Sequence, residues 1–132
     1  MAKPIQAWHF VRWDRTLGRE HNGKQVKIRK GQTLSVKPPL IICEHGLHAS
    51  RKLKRAADYF GMNLNNHPRN NGAVICRVEL SGKKLFCEDK FCSEKRKVLW
   101  WKKVNSRLFC EIASGYYTTP QLIKKLNPKE AQ

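Results

Sequence analysis

The sequence predicts an α+β fold, a single compact domain in which one or two helices pack on a mostly antiparallel sheet. Several apolar segments of strand length are separated by turn residues, and residues 73–80 are the strongest of them. Two other stretches, residues 51–61 and 119–126, repeat their apolar residues at helical spacing. A chain of 132 residues suits one core, so we expect one domain over residues 1–132, with a flexible tail from about residue 128.

The first third of the chain is predicted to form strands joined by polar turns. Residues 4–12 carry apolar side chains on both faces, which indicates a strand buried on both sides. Residues 14–24 contain turn chemistry and are predicted to be a loop. Residues 25–29 alternate polar and apolar side chains, and we expect residues 33–36 to return as their hairpin partner.

The centre of the sequence predicts a short strand at residues 40–43, a turn with two histidines and an amphipathic helix. Ser50 is a good N-cap, because its hydroxyl can accept from the free N–H groups of the first turn. The apolar stripe of the helix consists of Leu53, Ala56, Ala57 and Phe60. The opposite face is basic and carries Arg51, Lys52, Lys54 and Arg55.

The second half predicts further strands and a terminal helix. A turn is expected at residues 81–84, with the next residues pairing back on the strand before it. Residues 98–101 form another strand, whereas residues 108–113 fit either a strand or a helix. The last helix is predicted to begin with Thr119 as N-cap and Pro120 in its first turn.

Charge is the strongest functional signal, because 27 Lys and Arg residues stand against 10 Asp and Glu residues, a formal net charge of +17. So basic a surface repels itself unless it meets an acidic partner, such as nucleic acid or an acidic protein face. No apolar run is long enough to span a membrane, and the first residues lack the apolar core of a signal peptide. We therefore expect a cytoplasmic protein with no membrane partner, whose five cysteines are reduced.

Basic and aromatic residues are interleaved between residues 90 and 107. Exposed aromatic rings among cations suit base stacking, while the cations neutralise phosphates. On a regular strand Trp100 and Trp101 point to opposite faces, so we expect one in the core and the other exposed. The alternative is two core tryptophans among solvated lysines. The predicted binding residues are Lys95, Arg96, Lys97, Lys102, Lys103 and Trp101, followed by the helical cations Arg51, Lys52, Lys54 and Arg55.

A metal site or a nucleophilic cysteine is a weaker hypothesis. Cys43, His45 and His48 combine thiolate and imidazole groups at a spacing that suits zinc. The chain has no Cys-x-x-Cys pair, and the apolar neighbours of Cys43 favour plain burial, so we expect no metal. Cys43 with either histidine is also a candidate thiolate–imidazole pair, but no nucleophile turn surrounds it.

Short motifs in a fixed order carry a resemblance to a known family. They are WHFVR at residues 8–12, CEHGLHAS at residues 43–50, VELSG at residues 78–82, and then Asp89, Lys90 and Arg96. Over residues 8–101 the chain resembles a family of small phage and prophage proteins of unknown function. It departs from that family in a longer loop at residues 63–72 and in a heavier basic load. The resemblance implies a phage-type accessory protein, with a role against host defence and no assigned activity.

A second similarity concerns the NAD-binding half of ADP-ribosyltransferases. His9 lies on the first predicted strand, and Gly46-Leu47-His48-Ala49-Ser50 precedes a helix that contains Tyr59. In that family a strand histidine holds the adenosine ribose, and a Gly-x-Tyr-x-Ser strand precedes the helix under the nicotinamide. His48 stands where the family has tyrosine.

The similarity also implies an acidic residue that stabilises the sugar cation, for which Glu79, Glu94 and Glu111 are candidates. The catalytic residues under this interpretation are His9, His48, Ser50 and Tyr59. The alternative is a hydrogen-bonded core histidine at position 9 and an elbow that merely caps a helix.

Three hypotheses follow. The first is a non-enzymatic basic module without a cofactor that binds nucleic acid or a ribonucleoprotein, RNA by preference, in a counter-defence (anti-CRISPR-like) or host-takeover role. The second is an ADP-ribosyltransferase-like enzyme that uses NAD on an acidic or nucleic-acid-associated target. The third is a protein inhibitor that occupies the acidic face or the nucleic-acid channel of a host complex. Enzymatic activity is therefore an open question at this point.

Overall fold

The computed structural model describes residues 3–21, 24–37, 39–40, 47–61, 72–87 and 90–126. It confirms an α+β fold with a mostly antiparallel sheet, and the described chain contains three helices rather than one or two. The elements are β1 Ile5–Arg12, β2 Thr16–His21, β3 Lys24–Lys27, β4 Thr33–Ser35, β5 Leu47–Ser50, α1 Leu53–Gly61, β6 Ala73–Cys87, β7 Lys90–Val104, α2 Ser106–Ala113 and α3 Thr119–Leu126.

The main sheet closes on itself. Its strand order is β4-β7-β5-β1-β6, and β6 also pairs with β7, so β7, β5, β1 and β6 form a closed ring. The long antiparallel pair of β6 and β7 and the full-length pairing of β1 with β6 make most of the ring. The contact between β1 and β5 is a single pair, Trp8 with Ser50. β4 lies outside the ring on the edge of β7, and β2 and β3 form a separate two-stranded sheet.

Alternation along the strands divides the side chains between the inside and the outside of the ring. The inside holds apolar residues from all four strands. They are Ala7 and Val11 of β1, Ala49 of β5, Val74, Cys76, Val78 and Leu80 of β6, and Phe91 and Val98 of β7. Burying an aliphatic or aromatic side chain of this size contributes about 1.5–3 kcal/mol. This interior is therefore a packed core.

The outside of the ring is covered by the three helices. Phe10 of β1, Phe60 of α1 and Phe109 of α2 meet with ring centroids 5.2–6.1 Å apart. Trp8 packs edge-on against Trp100, with ring centroids 5.9 Å apart. The Trp8 Nε1–H also donates to the Thr119 hydroxyl at 3.3 Å, which fastens the start of α3 to the sheet.

Side chains cap the two C-terminal helices. Asn105 accepts from Leu108 N at 2.8 Å at the start of α2. Thr118 Oγ1 accepts from Gln121 N at 3.3 Å, and Gln121 Oε1 accepts from Thr118 N at 2.9 Å. This reciprocal pair is a capping box, so Thr118 is the N-cap of α3 rather than the predicted Thr119.

Four local predictions were wrong. Residues 16–21, predicted as loop, form β2, because they pair with β3. β4 pairs with β7 rather than returning to the strand before it. Residues 47–50, predicted as part of a turn, form β5 between β1 and β7. The turn predicted at residues 81–84 is an irregularity within β6, where Gly82 takes a φ of 75° and the strand continues beside β7.

Residues 108–113, which fitted a strand or a helix, belong to α2. Residues 41–43 of the strand predicted at residues 40–43, and the tail predicted from about residue 128, lie outside the described residues. Among the described helices, none is long and apolar enough to cross a membrane. Cys76 and Cys92 are buried and Cys110 is exposed, and none of these three cysteines forms a disulfide.

Substitution of Gly72 is expected to lower the stability of the fold much more than substitution of Gly31. It has a φ of +97°, and an added Cβ would overlap the Val104 carbonyl oxygen and lie 2.6 Å from the Asn105 carbonyl carbon. Gly31 has a similar φ of +82°, but an added Cβ meets nothing within 4 Å. We expect Gly72→Ala to lower the free energy of unfolding by about 3 kcal/mol or more, from strain plus overlap. Gly31→Ala should lower it by about 1 kcal/mol.

Urea denaturation of both variants measures the difference. Equal losses would show that the backbone around Val104 moves to accept the methyl group, contrary to this packing.

Candidate functional site

The basic patch predicted between residues 95 and 103 is divided by the structure. Lys95 and Lys97 of β7 are exposed and lie on the same face, opposite Ser81 and Glu79 of β6. Arg96 points the other way and is only 4% exposed. Arg96, one of the predicted binding residues, therefore does not share the surface of Lys95 and Lys97, because strand alternation places it inside the ring.

Further cations join Lys95 and Lys97 from other segments. The turn containing Lys30 is attached to β7, because Gly31 N donates to the Val98 carbonyl at 2.7 Å. Glu94 fixes two more segments: its carbonyl accepts from Val36 N at 2.9 Å, and its carboxylate accepts from Lys83 N at 2.8 Å. These bonds bring the chain on either side of β4 and the irregular part of β6 to one end of the sheet. We call Lys30, Lys37, Lys83, Lys95 and Lys97, all exposed, the basic corner.

The balance of charge at the surface is strongly cationic. Glu94 and Glu79, which lie within the basic corner, are both partly buried. Asp14 is exposed, whereas Asp58, Glu79, Glu94 and Glu111 are partly buried. The exposed cations are Lys3, Lys27, Arg29, Lys30, Lys37, Arg51, Lys52, Lys54, Lys83, Lys95, Lys97, Lys103, Arg107, Lys124 and Lys125. Among these described side chains, the exposed charges are therefore mostly positive.

Lys102 and Lys103 lie at the far end of β7 and have different environments. Lys102 Nζ donates to the Leu126 carbonyl at the C-terminus of α3, where a cation is favoured by the helix dipole. Lys103 is exposed and lies 4.8 Å from the ring centroid of Trp13. Lys102 therefore caps a helix, and of these two lysines Lys103 is the exposed one.

The two adjacent tryptophans do point to opposite sides of β7. Trp100 packs against the core beneath the helices, whereas Trp101 packs against the interior of the ring and remains partly exposed. The Arg15 guanidinium lies 4.8 Å from the ring centroid of Trp101. A cation thus stacks on the tryptophan that was predicted to be available for bases.

The helical cations form a separate surface. Arg51, Lys52 and Lys54 are exposed at the start of α1. Arg55 is partly buried and pairs with Asp58 at 3.5 Å, and Lys54 pairs with the same carboxylate at 3.2 Å. Asp58 therefore offsets part of this positive charge.

Arg96 enters the ring from β7. It lies opposite Leu80, a residue of the interior, and its Nη1 donates to the His48 carbonyl at 2.7 Å. Burial lowers the pKa of Arg96 to about 10, so the side chain is still charged at neutral pH. Burial also raises the pKa of the neighbouring Cys76 thiol to about 12, so that thiol stays neutral.

The residues of the enzyme hypothesis come partly together around this arginine. His9 is partly buried, and burial, followed by the charges of Arg96, His48 and Lys90, holds its pKa well below 6.5. Lys90 Nζ also lies 4.9 Å from the ring centroid of Tyr59. Lys90 therefore lies close to Tyr59, and its charge, like that of His48, acts on His9.

Ser50 and the acidic candidates have other positions. The Ser50 hydroxyl is buried and accepts from Lys52 N at 3.2 Å. This is a local contact just before α1 begins at Leu53, and it is not the N-cap bond predicted for Ser50. The charges that act on His9 among the described residues are all basic groups. Glu94 supports the chain at Lys83, and Glu111 accepts from the Tyr117 hydroxyl at 3.1 Å. The structure therefore provides the histidines of that hypothesis without a carboxylate from Glu79, Glu94 or Glu111 beside His9.

Two of the three residues considered as metal ligands, Cys43 and His45, lie outside the described residues. Within the described ranges no group of three His, Cys, Asp or Glu residues could hold a metal ion. His48 instead interacts with the Arg96 neighbourhood through its carbonyl and its charge.

Sequence reasoning missed Lys30, Lys37 and Lys83 as members of a common surface. They are distant from Lys95 in sequence, and no local pattern reports the pairing of β4 with β7. It also missed that Arg96 and His9 interact. A warning signal for Arg96 was available, since alternation along a strand separates it from Lys95 and Lys97.

Two of the motifs behind the phage-family resemblance, residues 8–12 and 47–50, lie together in the sheet, where Trp8 pairs with Ser50. Comparison with family models, with curated proteins and with solved structures finds no match to this chain. The resemblance to phage proteins and the similarity to ADP-ribosyltransferases both stay predictions.

The environment of His9 predicts a loss of stability on acidification. The unfolded chain binds a proton at His9 below pH 6.5, whereas folded His9, with its lowered pKa, does not. The unfolded state then carries more protons, so the free energy of unfolding falls as pH decreases from about 6.5, by up to about 1.4 kcal/mol per pH unit. His9→Gln should show a smaller slope, measured by urea denaturation between pH 7.5 and 5. Identical slopes in the two proteins would contradict a lowered pKa at His9.

Proposed function

We propose that the protein binds nucleic acid, RNA or a ribonucleoprotein by preference, and that the basic corner is its principal contact surface. The observation that carries this proposal is the convergence of five exposed lysines from three separate segments at one end of the sheet. Glu94, the acidic residue beside them, is used to fix the chain at Lys83. The corner is a rigid cationic surface built on a sheet.

Phosphate contacts would dominate such binding. Each phosphate that a lysine neutralises releases a counterion, so log K falls by about 0.7–0.9 per contact for each tenfold rise in salt. The proposal includes the phage-type role expected from the sequence, counter-defence or host takeover in the host-cell cytoplasm. An RNA-containing host complex is the partner that this charge and that role favour together.

Neutralising two lysines of the basic corner tests the surface. We expect Lys95→Gln with Lys97→Gln to weaken RNA binding about tenfold, because each surface charge contact contributes up to about 1 kcal/mol. The slope of log K against log salt should also decrease by about one per lysine. Fluorescence anisotropy with labelled single- and double-stranded RNA and DNA, at several salt concentrations, measures both quantities.

The matched control removes two exposed lysines from α3, Lys124→Gln with Lys125→Gln. Equal losses in the two double variants would show that net charge alone drives binding and that the corner is not a site. Weak binding of free nucleic acid that vanishes in modest salt, with a stable complex formed on an acidic host protein, would favour the inhibitor hypothesis instead. Arg96 is left intact here, because it is buried and lies on the other face of β7.

A second candidate function is ADP-ribosyl transfer from NAD, favoured by Lys90, which lies close to Tyr59 and whose charge, like that of His48, acts on His9. His9 and Tyr59 are partly exposed, so a ligand could reach them. Under this proposal His9 would position the ribose, and the acidic group would have to come from a residue other than Glu79, Glu94 or Glu111.

NAD consumption in the presence of RNA and of protein acceptors tests this candidate. We expect His9→Ala to abolish turnover while the melting temperature stays near that of the parent. Cys110→Ser, a change at an exposed thiol on α2, serves as the control with unchanged turnover. No turnover by the parent protein with any acceptor would rule this function out.

A further inference from the structure

The buried guanidinium of Arg96 lacks a counter-ion in the described chain. The salt bridges found there join Lys54 and Arg55 to Asp58, and no carboxylate pairs with Arg96. An uncompensated charge in an apolar interior costs several kcal/mol, and proteins usually pair such groups. The Cys76 thiol beside it is neutral and supplies no negative charge.

Most of the hydrogen-bonding capacity of Arg96 is also unused by described residues. A guanidinium carries five N–H donors in a planar fork, and this one makes a single hydrogen bond, from Nη1 to the His48 carbonyl. That bond fixes the side chain inside the ring. The guanidinium is therefore held in place by one hydrogen bond, and its other N–H donors make no bond to described residues. Such donors can bind a ligand.

The groups around Arg96 are themselves basic. The charges of Arg96, His48 and Lys90 all act on His9. His9, His48 and Lys90 are partly exposed, whereas Arg96 is 4% exposed. Positive charge is therefore concentrated around His9 in the described chain.

We infer that Arg96, His9, His48 and Lys90 form a binding site for a phosphoryl group, with the Arg96 fork at its base. A guanidinium fork matches two oxygens of a phosphate, and an ammonium contributes a further point charge. A dianion suits this cluster better than a single carboxylate, because the neighbouring basic groups favour a second negative charge. The phosphoryl group belongs to a free nucleotide or to the 5′ end of a nucleic acid.

This site is distinct from the basic corner. Lys95 and Lys97 alternate with Arg96 on β7 and lie on the opposite face of the sheet. Substitutions at one surface leave the other intact, so the phosphoryl site does not rest on the proposed nucleic-acid binding. Each proposal can fail alone.

Inorganic phosphate and pyrophosphate are the first probes, added to the full chain in a phosphate-free buffer at constant ionic strength with sodium chloride. We expect the melting temperature to rise and to saturate, and calorimetry to give one tight site per chain. Arg96→Met should lose the rise and weaken phosphate binding at least tenfold, while remaining as stable as the parent in chloride, since an apolar residue replaces a buried charge. The matched control is Arg107→Met, an exposed arginine on α2, which should respond to phosphate like the parent.

Two pairs of ligands identify the source of the phosphoryl group. Binding of adenosine is compared with binding of ADP, and binding of 5′-hydroxyl oligonucleotides with binding of 5′-phosphorylated ones. The oligonucleotides are tested on protein in which Lys95 and Lys97 are both changed to Gln. Preference for the phosphorylated member of either pair, lost in Arg96→Met, supports the site. An equal response of parent and Arg96→Met, or a response that never saturates, would overturn it.

If Arg96→Met does not fold, Arg96→Lys replaces it as the test variant. The stoichiometry of phosphate binding to the parent protein then gives a second test. A parent that ignores both phosphate and pyrophosphate would show that Arg96 is not a phosphoryl-binding group, and the inference would be wrong.

Discussion

The pairing of β6 with β7 is the constraint on which the rest of the structure depends. Each strand has 15 residues, and their ladder is what turns an open sheet into a ring. Once the ring is closed, every side chain on these strands must lie either in a narrow interior or on a face that helices and solvent share. This division explains why Lys95 and Lys97 are exposed whereas Arg96 is buried.

One irregularity in the ladder decides how the basic residues are distributed. Arg77 pairs with Trp100 while Val78 pairs with Val98, so Leu99 is an extra residue in β7. On a regular strand Lys95, Lys97, Trp101 and Lys103 would all share one face, because their numbers differ by multiples of two. The bulge reverses the alternation beyond residue 99, as bulges do when they redirect side chains. Consequently Trp101 turns toward the interior and a continuous basic and aromatic surface never forms.

The parts of the fold that sequence could predict are those governed by local patterns. The apolar run of β1, the amphipathic stripe of α1 and the apolar stripe of α3 depend on residues within a few positions of one another, and the structure contains all three elements. The ring, by contrast, requires β1 to find β6 and β5 to find β7 across long separations. No local pattern specifies those pairings.

The candidate site shows the same limit. Exposure of Lys95 and Lys97 follows from charge and alternation, whereas their association with Lys30 and Lys83 needs the tertiary pairings. Arg96 is the clearest failure, because composition alone places every arginine of a basic protein at the surface. Its burial follows from the position of its Cα opposite Leu80, a fact of register that composition does not encode.

The position of β4 has a consequence for self-association. Closing the ring removes the free edges of β1, β5 and β6, but β4 pairs with β7 on one side only in the described chain. An open strand edge is a template on which another chain can add a strand. β4 is short, with three residues, and exposed lysines stand on its flanks and on the neighbouring strand. Exposed lysines around this edge therefore oppose edge-to-edge pairing of two copies of the protein.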